Sequence, residues 1–269
     1  MSICVCAVDT NIAFTKKKYY LRFKKAEIKY VPGHKQGRQD DLLLDMKKMR
    51  EEEAFSLITD LLSTLSFNWN AVFHTDGGFI NTIHQFDWEN ITCSASGIRQ
   101  ITANQPRDDF INICPLDTGK ETTLARLYRT AKSSRNIYSQ ILFFWHCLEY
   151  SNDGKSIALI DKYVKDIKNV SVTDDIEQIM ENPILYKENI SQQTFGNYIQ
   201  GCIRNAIAHI ERKPNTEGRS ITLDSLKELR HLSQVKDVLQ YFARYRLEVN
   251  FKTKDRPDDL DYLSYFKPK

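Results

Sequence analysis

Glycine and proline are scarce in this chain, 10 and 7 residues among 269, which excludes a collagen-like or broadly disordered organisation. The six cysteines, Cys4, Cys6, Cys93, Cys114, Cys147 and Cys202, fall without CxxC or zinc-finger spacing, so neither a thiolate metal knot nor a redox pair is written into them. Cys4 and Cys6 stand too close along an expected strand for an easy mutual disulfide. Cys147 and Cys202 sit on apolar helix faces and read as small core residues. A reducing, cytoplasmic setting is therefore expected. The formal net charge is only +3, too small to mark nucleic-acid binding by itself. No apolar run approaches the length that a bilayer requires, and the N-terminal MSICVCAVDTNIAF lacks a basic leader and a cleavage site. A protein without membrane association is expected, and no internal repeat or low-complexity tract is present.

What remains is ordinary globular composition, 41% hydrophobic and 27% charged, with length enough for one large or two ordinary domains. Residues 3–31 read as two strands, ICVCAV and YYLRFKKAEIKYV. Lys16, Lys17, Lys18, Lys24, Lys25 and Lys29 form either a phosphate-binding patch or, more simply, a solvated edge. Residues 41–65 carry a helical stripe from Met46 to Leu65. From residue 67 to 113 the pattern turns short and strand-like, with a hairpin expected about Asp76, Gly77 and Gly78. His74, Asp76 and His84 lack the further spaced ligand that a metal site needs, and no metal or cofactor is expected. PLDTG at 115–119 marks a boundary, after which helical periodicity dominates: 121–150 as one or two helices broken near Ser133 and Ser134, shorter helices over 155–190, and a last long helix over 224–249 with Leu226, Leu229, Leu232, Val235, Val238, Leu239, Phe242 and Tyr245 inward. The fold class is α+β: a mixed α/β domain over residues 1–117, a helical domain over 118–250 and a polar tail over 251–269.

The stretch 197–212, NYIQGCIRNAIAHIER, holds two residues that packing does not explain. Ile199, Cys202, Ile203, Ala206 and Ile210 recur at three- and four-residue steps as the stripe of a packed helix. Arg204 and His209 lie off that stripe, with Asn205 directly after the arginine. In a regular helix they are separated by roughly 140° around the axis and about 7.5 Å along it. Such a pair meets one ligand only at a helix end or in a cleft shared with a second copy. Taken as packing, His209 is a helix-end histidine and Arg204 pairs with a carboxylate such as Glu149.

Three segments, ILFFWHCLEY, IRNAIAHI and SLKELRHLSQVKDVLQYFARY, resemble the HEPN superfamily, above all its methylamine-utilisation-like and antiphage-type branch. The resemblance covers about half of the chain, roughly residues 118–249, and leaves the N-terminal half unassigned. It implies a helical bundle that pairs about a two-fold axis and, in many members, a metal-independent endoribonuclease. The motif is an arginine, four to six residues and a histidine, often with a polar residue after the arginine; Arg204, Asn205 and His209 match it. The resemblance further implies RNA as the substrate, a homodimer with a composite site, and a toxin or defence role governed by the N-terminal half or a regulatory partner. A non-catalytic module binding RNA, a nucleotide or a protein is the alternative, and a scaffold subunit a third. Tyr198 is a candidate for stacking a base, with packing as the simpler reading. Arg126, Arg129 and Arg135 are candidates for a basic RNA track, against the reading of a solvated helix face.

Overall fold

A computed structural model of the chain describes residues 2–33, 39–46, 49–75, 80–84, 91–94, 97–100, 110–113, 115–116, 119–152, 154–167, 169–183, 193–208, 226–250 and 260–262. The chain forms two compact units, Met1–Ser133 with Thr253–Lys269, and Ser134–Lys252. An antiparallel sheet region is followed by helices, as an α+β chain requires. The expected boundary at residues 115–119 marks the change from strand to helix, whereas the division between the units falls after Ser133.

The first unit is built on a sheet of β1 (Ser2–Thr10), β3 (Tyr19–Phe23), β4 (Ala26–Val31), β5 (Asp40–Asp45), β6 (Phe73–His74), β7 (Ile80–His84) and β10 (Phe110–Ile113). The order is β10-β3-β4-β5-β1-β6, with β7 also on β1. Neighbours are antiparallel except β10, which runs parallel to β3. β2 (Ile12–Phe14) pairs with β11 (Leu260–Tyr262), so the tail returns to this unit as a strand. β8 (Ile91–Ser94) and β9 (Gly97–Gln100) pair with each other.

Alternation along β1 sends Cys4, Cys6 and Val8 to one face and Ile3 and Val5 to the other. On the first face, Ala54, Ile58, Leu61, Leu62 and Leu65 of α1 (Glu51–Asn68) complete the core. Each fully buried Leu or Ile contributes about 1.5–3 kcal/mol relative to exposure. α2 (Gly119–Ser133) buries Leu124, Ala125, Tyr128 and Ala131, and its Tyr128 hydroxyl donates to Asn70 at 2.7 Å.

Four local expectations change. The helix does not begin at Asp41: residues 40–45 form β5, whose Leu42, Leu43 and Leu44 are all fully buried between β4 and β1. A short apolar run without alternation is the mark of a strand covered on both faces, and periodicity alone does not separate it from a helix. The stretch YYLRFKKAEIKYV is two strands, because Lys24 and Lys25 both take positive φ, 47° and 65°, and close a two-residue hairpin. β6 and β7 do not pair with each other; both lie antiparallel to β1, at Asp9–Thr10 and at residues 2–6. The Asp76 to Gly78 turn lies outside the described residues. Nor do the six lysines act as one patch: Lys29 is interior, 3% exposed, and Lys24 binds Asp60 at 2.8 Å.

The second unit holds α3 (Ile137–Glu149), α4 (Ser156–Asp166), α5 (Val170–Glu181), α6 (Phe195–Tyr198), α7 (Asn205–Ala208) and α8 (Leu226–Asn250). Asn136 caps α3 by accepting from the amides of Tyr138 and Ser139 at 2.8 and 3.2 Å. α8 packs against α3 and α5 through Leu232, Val235, Val238, Leu239, Phe242 and Leu247. Its Arg246 donates to the carbonyls of Cys147 at 2.5 Å and Tyr150 at 2.6 Å, which closes the C-terminal end of α3 with a cation where the helix dipole favours one. Leu226 and Leu229, expected inward, are 61% and 38% exposed. Periodicity marks the apolar face of α8 but not where along it a neighbour begins.

Candidate functional site

The sequence 194–208 folds into an α turn, a wider π turn and a second α turn in succession. Thr194 starts α6, its hydroxyl accepting from the Asn197 amide at 3.3 Å. Gly196 lets α6 close onto α4: its amide donates to Asp161 at 2.9 Å, and a Cβ there would stand 2.8 Å from the Ile157 carbonyl oxygen. From Ile199 to Arg204 the chain is a π-helix, and the Asn205 amide reaches the Gln200 carbonyl. α7 then resumes ordinary pitch. Such wide turns are rare and are frequently found at functional sites.

Four-residue steps mark which residues point inward. Tyr198 and Cys202, and Ile199 and Ile203, are four apart and all buried. Tyr198 is fully buried, and its hydroxyl shares a 2.9 Å hydrogen bond with Nε2 of His231 on α8. Burial and the charge of Lys227 lower the His231 pKa to about 4, so this histidine is neutral near pH 7. Tyr198 is thus a packed residue with its ring inside the unit and not an exposed face for stacking a base. Of the two readings of Tyr198, its burial fits packing and not base stacking.

Arg204 and Asn205 are half-buried and adjacent at the junction of the π turn and α7. An Nη1 of Arg204 donates to Oδ1 of Asn205 at 3.2 Å. No ion pair forms between Arg204 and Glu149; the Glu149 carboxylate lies 3.3 Å from His146 instead. The guanidinium therefore keeps its charge uncompensated by that carboxylate and retains donors for an anion. His209 lies outside the described residues, and its angle to Arg204 is not read from this structure.

The arginines expected to extend the site do not lie on one helix. Arg126 and Arg129 are on α2 in the first unit, and Arg135 is exposed in the turn before α3 in the second. Arg126 binds Asp60 at 2.6 Å, beside Lys24 on the same carboxylate. Burial raises the Asp60 pKa, but hydrogen bonds and charge from Lys24 and Arg126 outweigh it and leave it lowered. Arg129 is largely enclosed, its Nε buried without a hydrogen-bond partner among the described residues, and burial together with the Arg126 charge lowers its pKa. A continuous track over Arg126, Arg129 and Arg135 is therefore not formed along one helix face, because the stretch 121–150 is two helices with the break at the expected Ser133–Ser134, and they belong to different units.

Beside Arg204, the structure adds a feature not expected from sequence. A cleft of about 300 Å³ is lined by Ile157, Gln193, Asn197, Gln200, Gly201 and Asn205. Four of these six carry carboxamides. The signal lay in the polar face of 193–205, where amides recur at three- to five-residue steps opposite the apolar stripe. The carboxamide oxygen of Gln200 is buried and has no hydrogen-bond partner among the described residues.

Cys4, Cys6, Cys147 and Cys202 are buried and take part in no disulfide among the described residues. Burial pushes the Cys4 thiol up to about 12 and raises Cys147 as well, so these thiols are inert packing groups. Among the described residues no helix is long and apolar enough to cross a membrane.

Residues 124–248 match the family model of methylamine utilization protein MauJ. The match starts within α2 and ends near the close of α8, so it spans the Arg204 site. No curated protein and no solved structure matches the chain.

Proposed function

We propose that the helical unit is a HEPN-type ribonuclease domain that cleaves RNA without a metal, at a site shared by two copies of the chain. The observation that carries this reading is Arg204: a half-buried guanidinium, free of the Glu149 carboxylate and braced by Asn205, at the end of a π turn beside a cleft. The methylamine-utilization match over the same residues supports it.

The chemistry follows from residue type. Arg204 holds the scissile phosphate with its planar fork and offsets the charge that develops on the phosphoryl oxygens. Asn205 orients that fork. His209, whose unperturbed pKa of about 6.5 suits proton exchange near neutrality, takes the proton from the 2′-OH or delivers one to the 5′-oxygen leaving group. The partner's copy performs the complementary transfer. The 2′-oxygen displaces the 5′-oxygen at phosphorus, giving a 2′,3′-cyclic phosphate and a 5′-OH. A toxin or antiphage role, controlled through the N-terminal unit or a partner, follows by family analogy alone.

Labelled single-stranded RNA incubated with the full-length protein in EDTA tests the reading. Cleavage that Arg204→Ala and His209→Ala both abolish supports it; undiminished cleavage by either variant removes that residue from the mechanism. The carboxamide cleft favours one second reading, a module that binds RNA or a nucleotide without cutting it. RNA that stays intact under every condition while still being bound selects that reading. Light scattering that finds only monomer counts against the composite site.

A further inference from the structure

We infer that the cleft beside Arg204 is a nucleobase subsite, in which Gln200 and Asn197 hydrogen-bond the edge of one unstacked base of the RNA. This rests on the reading of Arg204 as the phosphate anchor.

The lining decides the ligand class. Among Ile157, Gln193, Asn197, Gln200, Gly201 and Asn205 there is no cation to hold a phosphate and no carboxylate to hold a metal. Four carboxamides present donors and acceptors together, which is the pattern that the edges of nucleobases complement. Ile157 supplies apolar contact, and Gly201 has no side chain to occupy space. The volume, about 300 Å³, lies at the lower limit of small-molecule sites, ~300–1,000 Å³, and suits one nucleoside.

The Gln200 carboxamide oxygen is itself enclosed, without a partner among the described residues, so a base in the cleft is met by the donating amide end of that side chain. Asn197 is exposed, and its amide nitrogen already donates to the Thr194 hydroxyl at 3.0 Å, which fixes the side chain and leaves its oxygen as an acceptor. Asn205 joins the two subsites, lining the cleft while accepting from Arg204. A base seated here therefore belongs to a nucleotide flanking the phosphate on Arg204. Asn197, Gln200, Gly201 and Asn205 recur at three- and four-residue steps and share one side, while 198, 199, 202 and 203 are buried.

The test uses the full-length protein with two probes. The four nucleoside 5′-monophosphates are titrated by calorimetry, and cleavage sites are mapped on random-sequence single-stranded RNA. The expected result is preference for one base in both, with Gln200→Met weakening the preferred nucleotide about tenfold relative to the others and flattening the base profile at the cut. Asn197→Ala, at an exposed position, gives the same direction should Gln200→Met fail to fold. Equal binding of all four nucleotides, or variants that keep the wild-type preference, overturns the subsite. RNA cut without base preference also overturns it and leaves the ribonuclease reading intact. Base-selective binding that both variants lose, with RNA left uncut, supports the subsite and removes the cleavage.

Discussion

Acid should destabilise the helical unit through His231, and the size of the effect follows from its burial. His231 is 5% exposed beneath the site, bonded to Tyr198, with its pKa lowered from 6.5 to about 4. Because the folded value lies below the unfolded one, the unfolded chain binds the proton first as pH falls. The contribution is complete above the unfolded pKa of about 6.5 and drains away as pH drops towards about 4. Between about pH 7.5 and pH 5 the full shift amounts to about 2 kcal/mol. Partial access of water to the protonated ring reduces this, so about 1 kcal/mol is expected. Urea denaturation followed by far-ultraviolet circular dichroism at both pH values measures it. The double variant Tyr198→Phe/His231→Phe removes the titrating ring without orphaning the tyrosine hydroxyl. Carboxylates elsewhere titrate equally in both proteins, so the difference between them isolates His231. A double variant that loses as much stability on acidification as the wild type refutes the reasoning.

Two further predictions concern the supports of the site. Gly196→Ala forces a methyl to within 2.8 Å of the Ile157 carbonyl oxygen and 2.9 Å of the Asp161 carboxylate; backbone there gives little, so a loss of about 1–3 kcal/mol is expected, read as a lower thermal midpoint. Arg246→Met keeps the apolar stem but strips two carbonyls of their charged donor, and a loss of about 2 kcal/mol or more in denaturant unfolding is expected; wild-type stability would show those bonds to be dispensable.

Much of the helical half was legible locally. The break near Ser133 and Ser134, the inward stripe of α8 from Leu232 to Phe242 and the small, buried Cys147 and Cys202 all follow from spacing and size. The strands were less so. DLLLD reads equally as helix or strand until it is known that β4 and β1 flank it. Lys24–Lys25 carries no turn signature, and the hairpin there is imposed by the pairing of its flanks with help from the Lys24–Asp60 bond.

By itself the sequence determined the chemical inventory of the site, an arginine followed by an asparagine and, four residues further on, a histidine, because residue type and spacing are properties of the chain alone. Its location in a helical half is likewise a local property. Only the tertiary structure decided what those residues meet. It placed Tyr198 inside against His231, assigned Arg126 to Asp60, kept Arg204 from Glu149, and gathered the amides of four positions into one cleft. Such outcomes depend on distant neighbours, and helical periodicity specifies a face without naming what packs against it.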